Sequence, residues 1–357
     1  MAPGRMRIVV LLGGNSEERD VSLASGAQVA HALREVGHDV VAFDTSGGIL
    51  SREAEERLRD SGVGRDPPGP RPPDLLDTGD TGVFAREPAV AEADVLFLAL
   101  HGGMGEDGTI QALLDVIGRP YTGSGMVGCA LAMDKELTKR LLRDAGIPTP
   151  DWIVGNPDPQ RVEAELGVPV IVKAARGGSS LRLVLAHDMA EVARAREASL
   201  HFQDRVLWER FIRGREFTVG VVGGDALPVG EIIPEHEIFD YECKYQPGMA
   251  REIFPADLPG EMARRLQRLA VEVHGVLRLR DLSRVDFVVD EDGRPWCLEA
   301  NALPGMTANS LLPKAARAAG ISFPELCERI ATLAVERQGA LQLEREPVRN
   351  LASEQGV

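Results

Sequence analysis

Short apolar runs and helical periodicities alternate along the first part of the chain. Arg7-Ile-Val-Val-Leu-Leu12 is an apolar run that stops at Gly13-Gly14, and Leu23, Ala27, Ala30 and Leu33 then recur at helical spacing between Ser22 and Val36. The pattern predicts strand, loop, helix. Val40-Val-Ala-Phe43 and Val95-Leu-Phe-Leu-Ala-Leu100 repeat the buried-strand pattern, and Thr109 to Ile117 reads as another helix. This part of the chain therefore reads as a parallel α/β layer, a type of sheet in which ligands usually sit beyond the carboxyl ends of the strands.

A second unit begins near Gly123-Ser-Gly125. It predicts a helix over Asp134 to Ala145, a strand over Val168 to Lys173, the loop Arg176-Gly-Gly-Ser-Ser180, a helix from Asp188 and a strand over Val206 to Phe211. A third unit begins near Gly214 and is richer in alternation: Phe217 to Val222 and Leu227 to Ile233 flank Gly223-Gly-Asp225 as a hairpin. The pattern thus divides the chain into residues 1–123, 124–213 and 214–337, α/β at first and α+β toward the C-terminus. Residues 51–88 form a polar insertion that contains Asp66-Pro-Pro-Gly-Pro-Arg-Pro-Pro73, and 338–357 reads as a loose polar tail.

Composition narrows the function classes. The 357 residues carry a net charge of −15 without a long basic run, which argues against a surface that neutralises many nucleic-acid phosphates. Any anionic ligand must meet a local basic cluster. Hydrophobic residues make up 44% of the chain, yet no apolar stretch approaches the roughly eighteen residues of a membrane span. The apolar run after Arg7 is too short for a signal peptide, so the cytoplasm is the expected compartment. Cys129, Cys243, Cys297 and Cys327 lie far apart and read as buried free thiols.

The most informative stretch runs from Arg284 to Asn301, two alternating strands joined by a turn at Asp290 to Gly293. Period two places Arg284 and Asp286 on one face of the first strand and Glu299 and Asn301 on one face of the second. Two carboxylates and an amide oxygen suit a hard cation such as Mg²⁺, with Arg284 beside it to stabilise developing negative charge. A solvated hairpin face would show the same alternation. Lys173 ends an apolar strand before Arg176-Gly-Gly-Ser-Ser180, where backbone N–H groups can approach phosphates, although an ordinary strand-to-helix turn looks alike. Lys135 and Lys139 on the preceding helix would add positive charge there, or simply be solvated. The first loop, Gly13 to Leu23, carries Glu17, Glu18 and Asp20 and lacks Gly-x-Gly-x-x-Gly, which speaks against a dinucleotide-dependent oxidoreductase and suits an ammonium group. The same acids would also favour a helix start. His101 ends a strand in a glycine-rich loop, as an anion ligand, a proton carrier or a plain hydrogen-bonding group. Asp240-Tyr-Glu-Cys-Lys-Tyr245 reads as a lid or a connector.

Taken in order, these segments resemble the D-alanine–D-alanine ligases of the ATP-grasp superfamily over most of residues 7–335. The resemblance rests on Gly13-Gly-Asn-Ser-Glu-Glu-Arg-Asp-Val-Ser-Leu23, Leu100-His-Gly, Gly105-Glu-Asp-Gly-Thr109, Pro120-Tyr-Thr-Gly-Ser-Gly125, Met133-Asp-Lys135, Glu216-Phe-Thr-Val219, Lys244-Tyr245, and Leu298-Glu-Ala-Asn301 through Pro304-Gly-Met-Thr307. It implies an ATP-grasp fold, with a Rossmann-like preATP-grasp domain followed by two ATP-grasp subdomains, in a homodimeric cytoplasmic enzyme of peptidoglycan precursor synthesis. The activity it implies is ATP-dependent joining of two D-alanine molecules through an acyl phosphate.

By the same resemblance Glu18 would hold the ammonium of the first D-alanine within a hydrogen-bonded set of Glu18, Ser179 and Tyr245. Lys135, Lys173 and Lys244 would meet ATP phosphates, and Glu209 and Glu216 the adenine and ribose. Asp286, Glu299 and Asn301 would hold two Mg²⁺ ions, with Mn²⁺ as a substitute, and Arg284 would stabilise the transferring phosphoryl group. His101 would lie near the first substrate, and Ser310 would meet the carboxylate of the second. The chain departs from the family at Arg182, where glycine is usual, at Ala302, where threonine is common, and at Gly177, where a charged residue is common. A ligase for another pair of small amino or hydroxy acids, or an ATP-binding homologue that has lost turnover, would share most of these motifs.

Overall fold

Three sheets carry the molecule. The computed structural model describes residues 4–61, 86–178, 183–200, 202, 204–246 and 248–354. Most of the proline-rich segment and the loop residues Ser179, Ser180, Leu181 and Arg182 lie outside them. The segment 51–88 was expected to be an insertion, and it opens with the helix Arg52–Ser61.

The first sheet contains β1 (Arg7–Leu12), β2 (Asp39–Asp44), β3 (Gly48–Ile49) and β4 (Val95–Leu98), in the order β3-β2-β1-β4. β1 pairs in parallel with β2 and β4, as its unbroken apolar run demands, and only the short β3 runs antiparallel. The helix Arg19–Glu35 crosses one face so closely that a Cβ on Gly26 would lie 2.4 Å from the Leu12 Cβ. At the end of β2, next to Leu12, Asp44 accepts from both terminal guanidinium nitrogens of Arg19, at 2.9 and 2.5 Å, which pins the start of that helix beside Gly13-Gly14.

The second sheet is antiparallel throughout: β5 (Trp152–Val154), β6 (Val170–Ala174), β7 (Val184–Ala186) and β8 (Val206–Arg210), in the order β5-β8-β6-β7. Trp208 fills its core among Val170, Val172, Val192 and Ile153, and its indole N–H donates to the Gly155 carbonyl at 3.0 Å.

The third sheet comprises β9 (Gly214–Val222), β10 (Asp225–Ala226), β11 (Gly230–Pro234), β12 (Ala250–Ile253), β13 (Leu282–Asp290) and β14 (Pro295–Asn301). Its order is β12-β11-β9-β13-β14, with β10 on β9. The alternation of β9 and β13 sends Phe217, Val219, Val285 and Phe287 to one face, where they meet Leu266, Ala270 and Val273 of the helix Gly260–Val276.

Two findings differ from the sequence reading. The helices Met126–Met133 and Lys135–Asp144 belong to the stretch grouped with the second unit, yet Cys129, Ala132 and Leu142 are buried in the core of the third sheet. Their apolar faces meet the strand Pro295–Asn301, so packing across the chain overrides neighbourhood in sequence. The stretch from 338 was expected to be a loose tail, but the helix Phe323–Glu354 carries the backbone through most of it. The start of that helix is anchored: Leu326, Cys327 and Ile330 are buried in one cluster with Val29 and Leu33 of the first unit. Arg337 reaches back to Asp281 and to the Tyr121 carbonyl, and Asp281 in turn accepts the Gly123 N–H at 2.8 Å. First and third sheets therefore share a core, and the second sheet stands apart, facing the third across a cleft.

Replacing Trp208 by alanine removes the central side chain of the second sheet and leaves the Gly155 carbonyl without its donor. The variant should lose about 3–5 kcal/mol of stability in that sheet. Urea unfolding followed by hydrogen exchange in β6 and β8 would measure this, and unchanged protection there would contradict it.

Candidate functional site

The cleft takes one wall from the second sheet and one from the third. Ile171, Lys173, Glu209 and Phe211 line the first, and Glu216, Ile232, Asp286, Leu298 and Glu299 the second, with Lys135, Gly177, Gly178, Phe239 and Lys244 at its edges. One space thus combines an apolar lining with a concentration of charge, which suits a ligand with a flat apolar part and an anionic part.

The second-sheet wall is organised around Glu209, which β8 delivers inward opposite Lys173 of β6. Its Oε1 accepts from Lys173 Nζ at 2.9 Å, and its Oε2 lies 2.6 Å from Lys139 Nζ. Burial opposes ionisation of Glu209, but the two ammonium groups outweigh it and hold the carboxyl below its ordinary value. Lys173 is likewise disfavoured as a cation by burial, and Glu209 and Glu299 reverse this and raise it. Lys139 sits one helical turn after Lys135 and is wholly buried, donating also to Thr149 Oγ1 at 2.7 Å and to the Pro150 carbonyl at 3.0 Å. The sequence reading gave it a place among charges facing phosphates, whereas it lies behind Glu209, not in the cleft. Glu209, expected to serve the nucleotide directly, has both oxygens engaged by lysines.

The third-sheet wall carries the hairpin. Asp286 pairs in register with Glu299, and Arg284 with Asn301, so the alternation read from the sequence brings all four together. Asp286 accepts from Arg284 at 3.0 and 2.8 Å, from Thr218 Oγ1 at 2.7 Å and from the Asn301 amide at 3.2 Å. Because Asn301 donates its nitrogen to Asp286, its carbonyl oxygen remains an acceptor. Burial works against a charged Glu299, yet Lys135, Lys244, Lys173 and Arg284 hold it down at about 2. Two carboxylates and an amide oxygen form a hard-oxygen donor set of the kind that fits Mg²⁺. Thr218, directly opposite Asp286 on β9, was read only as part of Glu216-Phe-Thr-Val219 and given no role; its inward hydroxyl among apolar residues was the signal for one.

Lys135 joins the two walls. Its Nζ donates to the Gly177 carbonyl at 2.6 Å and lies 3.8 Å from Glu299 Oε2. Burial lowers its pKa and the neighbouring Lys173 and Lys244 lower it further, against the pull of Glu299 and Glu18. Lys244, in the helix Tyr241–Tyr245, stands with its ammonium 5.5 Å from the Phe239 ring centre.

The first loop reaches this region through Glu18. A Cβ on Gly178 would lie 2.4 Å from Glu18 Oε2, and one on Gly102 would lie 2.7 Å from it, so the Glu18 carboxylate stands directly against both backbones. Ser179 of the expected Glu18, Ser179 and Tyr245 set is outside the described residues, and Tyr245 closes its helix next to Lys244. His101 is buried behind Glu18, 3.3 Å from Ser25 Oγ and 3.7 Å from Glu106. Ser310 stands at the start of the helix Leu311–Ala318 without a side-chain capping bond, its hydroxyl turned back to that of Thr307 at 2.8 Å; it does not line the cleft. The Pro304 to Thr307 turn is held to the first unit through Ala308 N–H and Gln28 Oε1, 2.8 Å apart.

Glu216 is half-buried beside Asp286. Burial and the Asp286 charge push its carboxyl up to about 7, against the pull of Lys244. The folded chain therefore keeps a proton that an unfolded glutamate releases near 4.5. Between those values the folded state binds more protons, so this group's contribution to stability is present in acid and is lost as pH rises toward 7. Glu216→Gln abolishes that contribution. Urea midpoints measured across this range should show the variant gaining on the wild type as pH rises; parallel curves would contradict the assignment.

Comparison with known proteins gives matches over most of the chain. The family model described as D-ala D-ala ligase N-terminus matches residues 7–124, and that described as D-ala D-ala ligase C-terminus matches residues 141–332. The D-alanine–D-alanine ligase of Pelotomaculum thermopropionicum is 37% identical over 347 residues, covering 94% of this chain and 98% of that protein. The one from Desulforamulus reducens is 40% identical over 346 residues, covering 93% and 99%. Among solved structures, the D-alanine–D-alanine ligase of Bacillus anthracis complexed with ATP superposes with a TM-score of 0.74 at 30% identity, over 94% of this chain and 99% of that one. The Coxiella burnetii ligase gives 0.78 at 26% identity, over 99% and 100%. Among the described residues no helix is long and apolar enough to cross a membrane.

Proposed function

The chain belongs to the D-alanine–D-alanine ligase family, and from that premise we infer that its cleft joins two D-alanine molecules with ATP as co-substrate, yielding D-alanyl-D-alanine, ADP and phosphate. The observation that carries this reading is the convergence of Lys135, Lys173 and Lys244 with Asp286 and Glu299 on one cleft that also has an apolar lining. A polyanionic nucleotide needs the lysines for its phosphates, the acids for its accompanying cation and the apolar lining for its base.

Phosphoryl transfer depends mostly on positioning and charge neutralisation, so no protein nucleophile is required. The carboxylate of the first D-alanine attacks the γ-phosphorus, the bond to the β-phosphate oxygen breaks, and ADP leaves. The amine of the second D-alanine then attacks the acyl carbon. A C–N bond forms, the C–O bond to phosphate breaks, and the attacking nitrogen passes one proton to the departing phosphate while keeping one N–H in the new amide. In this reading Lys135 and Lys173 hold the phosphates, each fixed by an acid already described, and Lys244 approaches from the edge of the cleft. Arg284, tied to Asp286, offers positive charge to the equatorial oxygens of the transferring group and to the tetrahedral intermediate. Glu18, pressed against Gly178, offers a carboxylate to the ammonium of the first D-alanine, with His101 behind it. Ser310 and the turn beside it serve the carboxylate of the second, and Ser179 and Tyr245 complete the set with Glu18. Glu209 acts through Lys173, and Glu216 takes the ribose.

Asp286, Glu299 and Asn301 would hold two Mg²⁺ ions, or Mn²⁺ in their place, which would supply neutralisation of the β- and γ-phosphates. A homodimer and a cytoplasmic site of action, where ATP is supplied, complete the reading.

Incubation with ATP, Mg²⁺ and D-alanine should release phosphate only when D-alanine is present. Arg284→Met should lower kcat by about 10²–10³-fold, the loss expected when a donor aimed at developing charge is removed. Glu299→Ala should also lose activity. Absence of D-alanine-dependent phosphate release in the wild type would overturn the function, and full activity in Glu299→Ala would overturn the metal assignment.

A further inference from the structure

One cluster outside the cleft combines donor types that the ligation chemistry does not use. His236, Asp240 and Cys243 lie on the segment that follows β11 and leads into the helix Tyr241–Tyr245, immediately before Lys244. Asp240 caps that helix: its Oδ1 accepts from the Cys243 N–H at 2.9 Å, and its Oδ2 lies 2.8 Å from His236 Nδ1. One nitrogen, one oxygen and one sulfur from the three residues all lie within 4.8 Å of one another. The sulfur is on the buried side, while His236 and Asp240 are partly open to solvent, so an ion has a path in.

We propose that His236, Asp240 and Cys243 bind a thiophilic divalent cation of the Zn²⁺ type, and that the bound ion fixes the segment bearing Lys244. A thiolate, an imidazole and a carboxylate are ligands Zn²⁺ accepts together, and three protein ligands leave the fourth tetrahedral position for water. With metal–ligand bonds of about 2.0–2.3 Å, tetrahedral donors stand about 3.3–3.8 Å apart, so the cluster needs to contract by roughly an ångström. Mg²⁺, which prefers oxygen, is not served by a thiolate, so this cluster and the donor set of Asp286, Glu299 and Asn301 select different ions.

Acidic groups surround the cluster: Asp240 Oδ2 lies 2.8 Å from His236 Nδ1 and Glu242 Oε2 lies 4.0 Å from His236 Nε2, so positive charge is stabilised there. Burial and Asp240 push the Cys243 thiol up, so the ion must displace a proton to bind the sulfur. On coordination the Cys243 thiol releases its proton to solvent and sulfur donates a lone pair to the metal, the imidazole and carboxylate donate theirs, and no electron is transferred. The segment already has one tie across to the second sheet, where His187 Nε2 lies 3.3 Å from Glu237. A metal clip between His236 and Cys243 would add a constraint within the segment itself, next to a lysine that lines the cleft.

The test uses the full-length protein without ATP, D-alanine or Mg²⁺, so its outcome is independent of the ligase reading. Titration with Co²⁺ should give one equivalent of binding with a thiolate-to-cobalt charge-transfer absorption that Zn²⁺ displaces. The absorption should vanish in Cys243→Ala, persist in Cys297→Ala, and require at least about tenfold more Co²⁺ in His236→Gln, a substitution at a partly exposed position that leaves the core intact. Hydrogen exchange over residues 236–246 should slow when Zn²⁺ is added to the wild type. Absence of the absorption, or its persistence in Cys243→Ala, would overturn the proposal, as would exchange in that segment indifferent to Zn²⁺.

Discussion

The structure of the cleft depends on the mutual neutralisation of charges that could not be buried singly. An unpaired ammonium or carboxylate taken out of water is costly, and each of these ions is retained because another stands within contact distance. Glu209 is gripped by Lys139 from behind and by Lys173 from the cleft side, at 2.6 and 2.9 Å. Asp286 is gripped by Arg284, Thr218 and Asn301, and Glu299 is held ionised by the lysines around it. The result is a set of charges fixed in place before any ligand arrives, which is how electrostatic catalysis avoids reorganising its surroundings during reaction.

The arrangement also explains how three sheets cooperate. The first and third share a hydrophobic core through the helix Phe323–Glu354, so Glu18 and the hairpin are carried on one continuous body. The second sheet has its own core around Trp208, and contacts such as Lys135 with Gly177 connect it to that body near the mouth of the cleft. Such a division lets a cleft admit a nucleotide and still present a rigid wall on each side.

Much of the fold was legible in the sequence because its elements obey simple periods. The apolar run Arg7–Leu12 is a parallel central strand, Thr109–Ile117 is a helix with the bounds its spacing predicts, and the period of two placed Arg284 with Asp286 and Glu299 with Asn301 on shared faces, whereas the register shift between Asp286 and Phe287 left no mark in the pattern. Packing between distant segments was not legible. Nothing local tells that the helix Lys135–Asp144 turns its apolar face to the third sheet, or that the tail remains helical. The candidate site was read in the same proportion. The hairpin group followed from alternation, whereas the burial of Lys139 behind Glu209 depends on a partner 70 residues away and could not be told from a solvated lysine. Thr218 was hidden for the same reason, since its role exists only across the β9–β13 ladder. Asp240 and Cys243 were in view as part of a lid or connector, but His236 was not, and the common centre of the three appears only once the chain turns into the helix Tyr241–Tyr245.

The measurement that bears most directly on the account is the affinity for a nonhydrolysable ATP analogue, the β,γ-imido triphosphate, with and without Mg²⁺, in the wild type and in Lys135→Gln. Loss of one charge-assisted phosphate contact should weaken binding by about ten- to a hundredfold, and Mg²⁺ should tighten binding to the wild type. Equal affinities in the two proteins, or an affinity indifferent to Mg²⁺, would contradict the claim that this fixed constellation of charges is where the nucleotide binds.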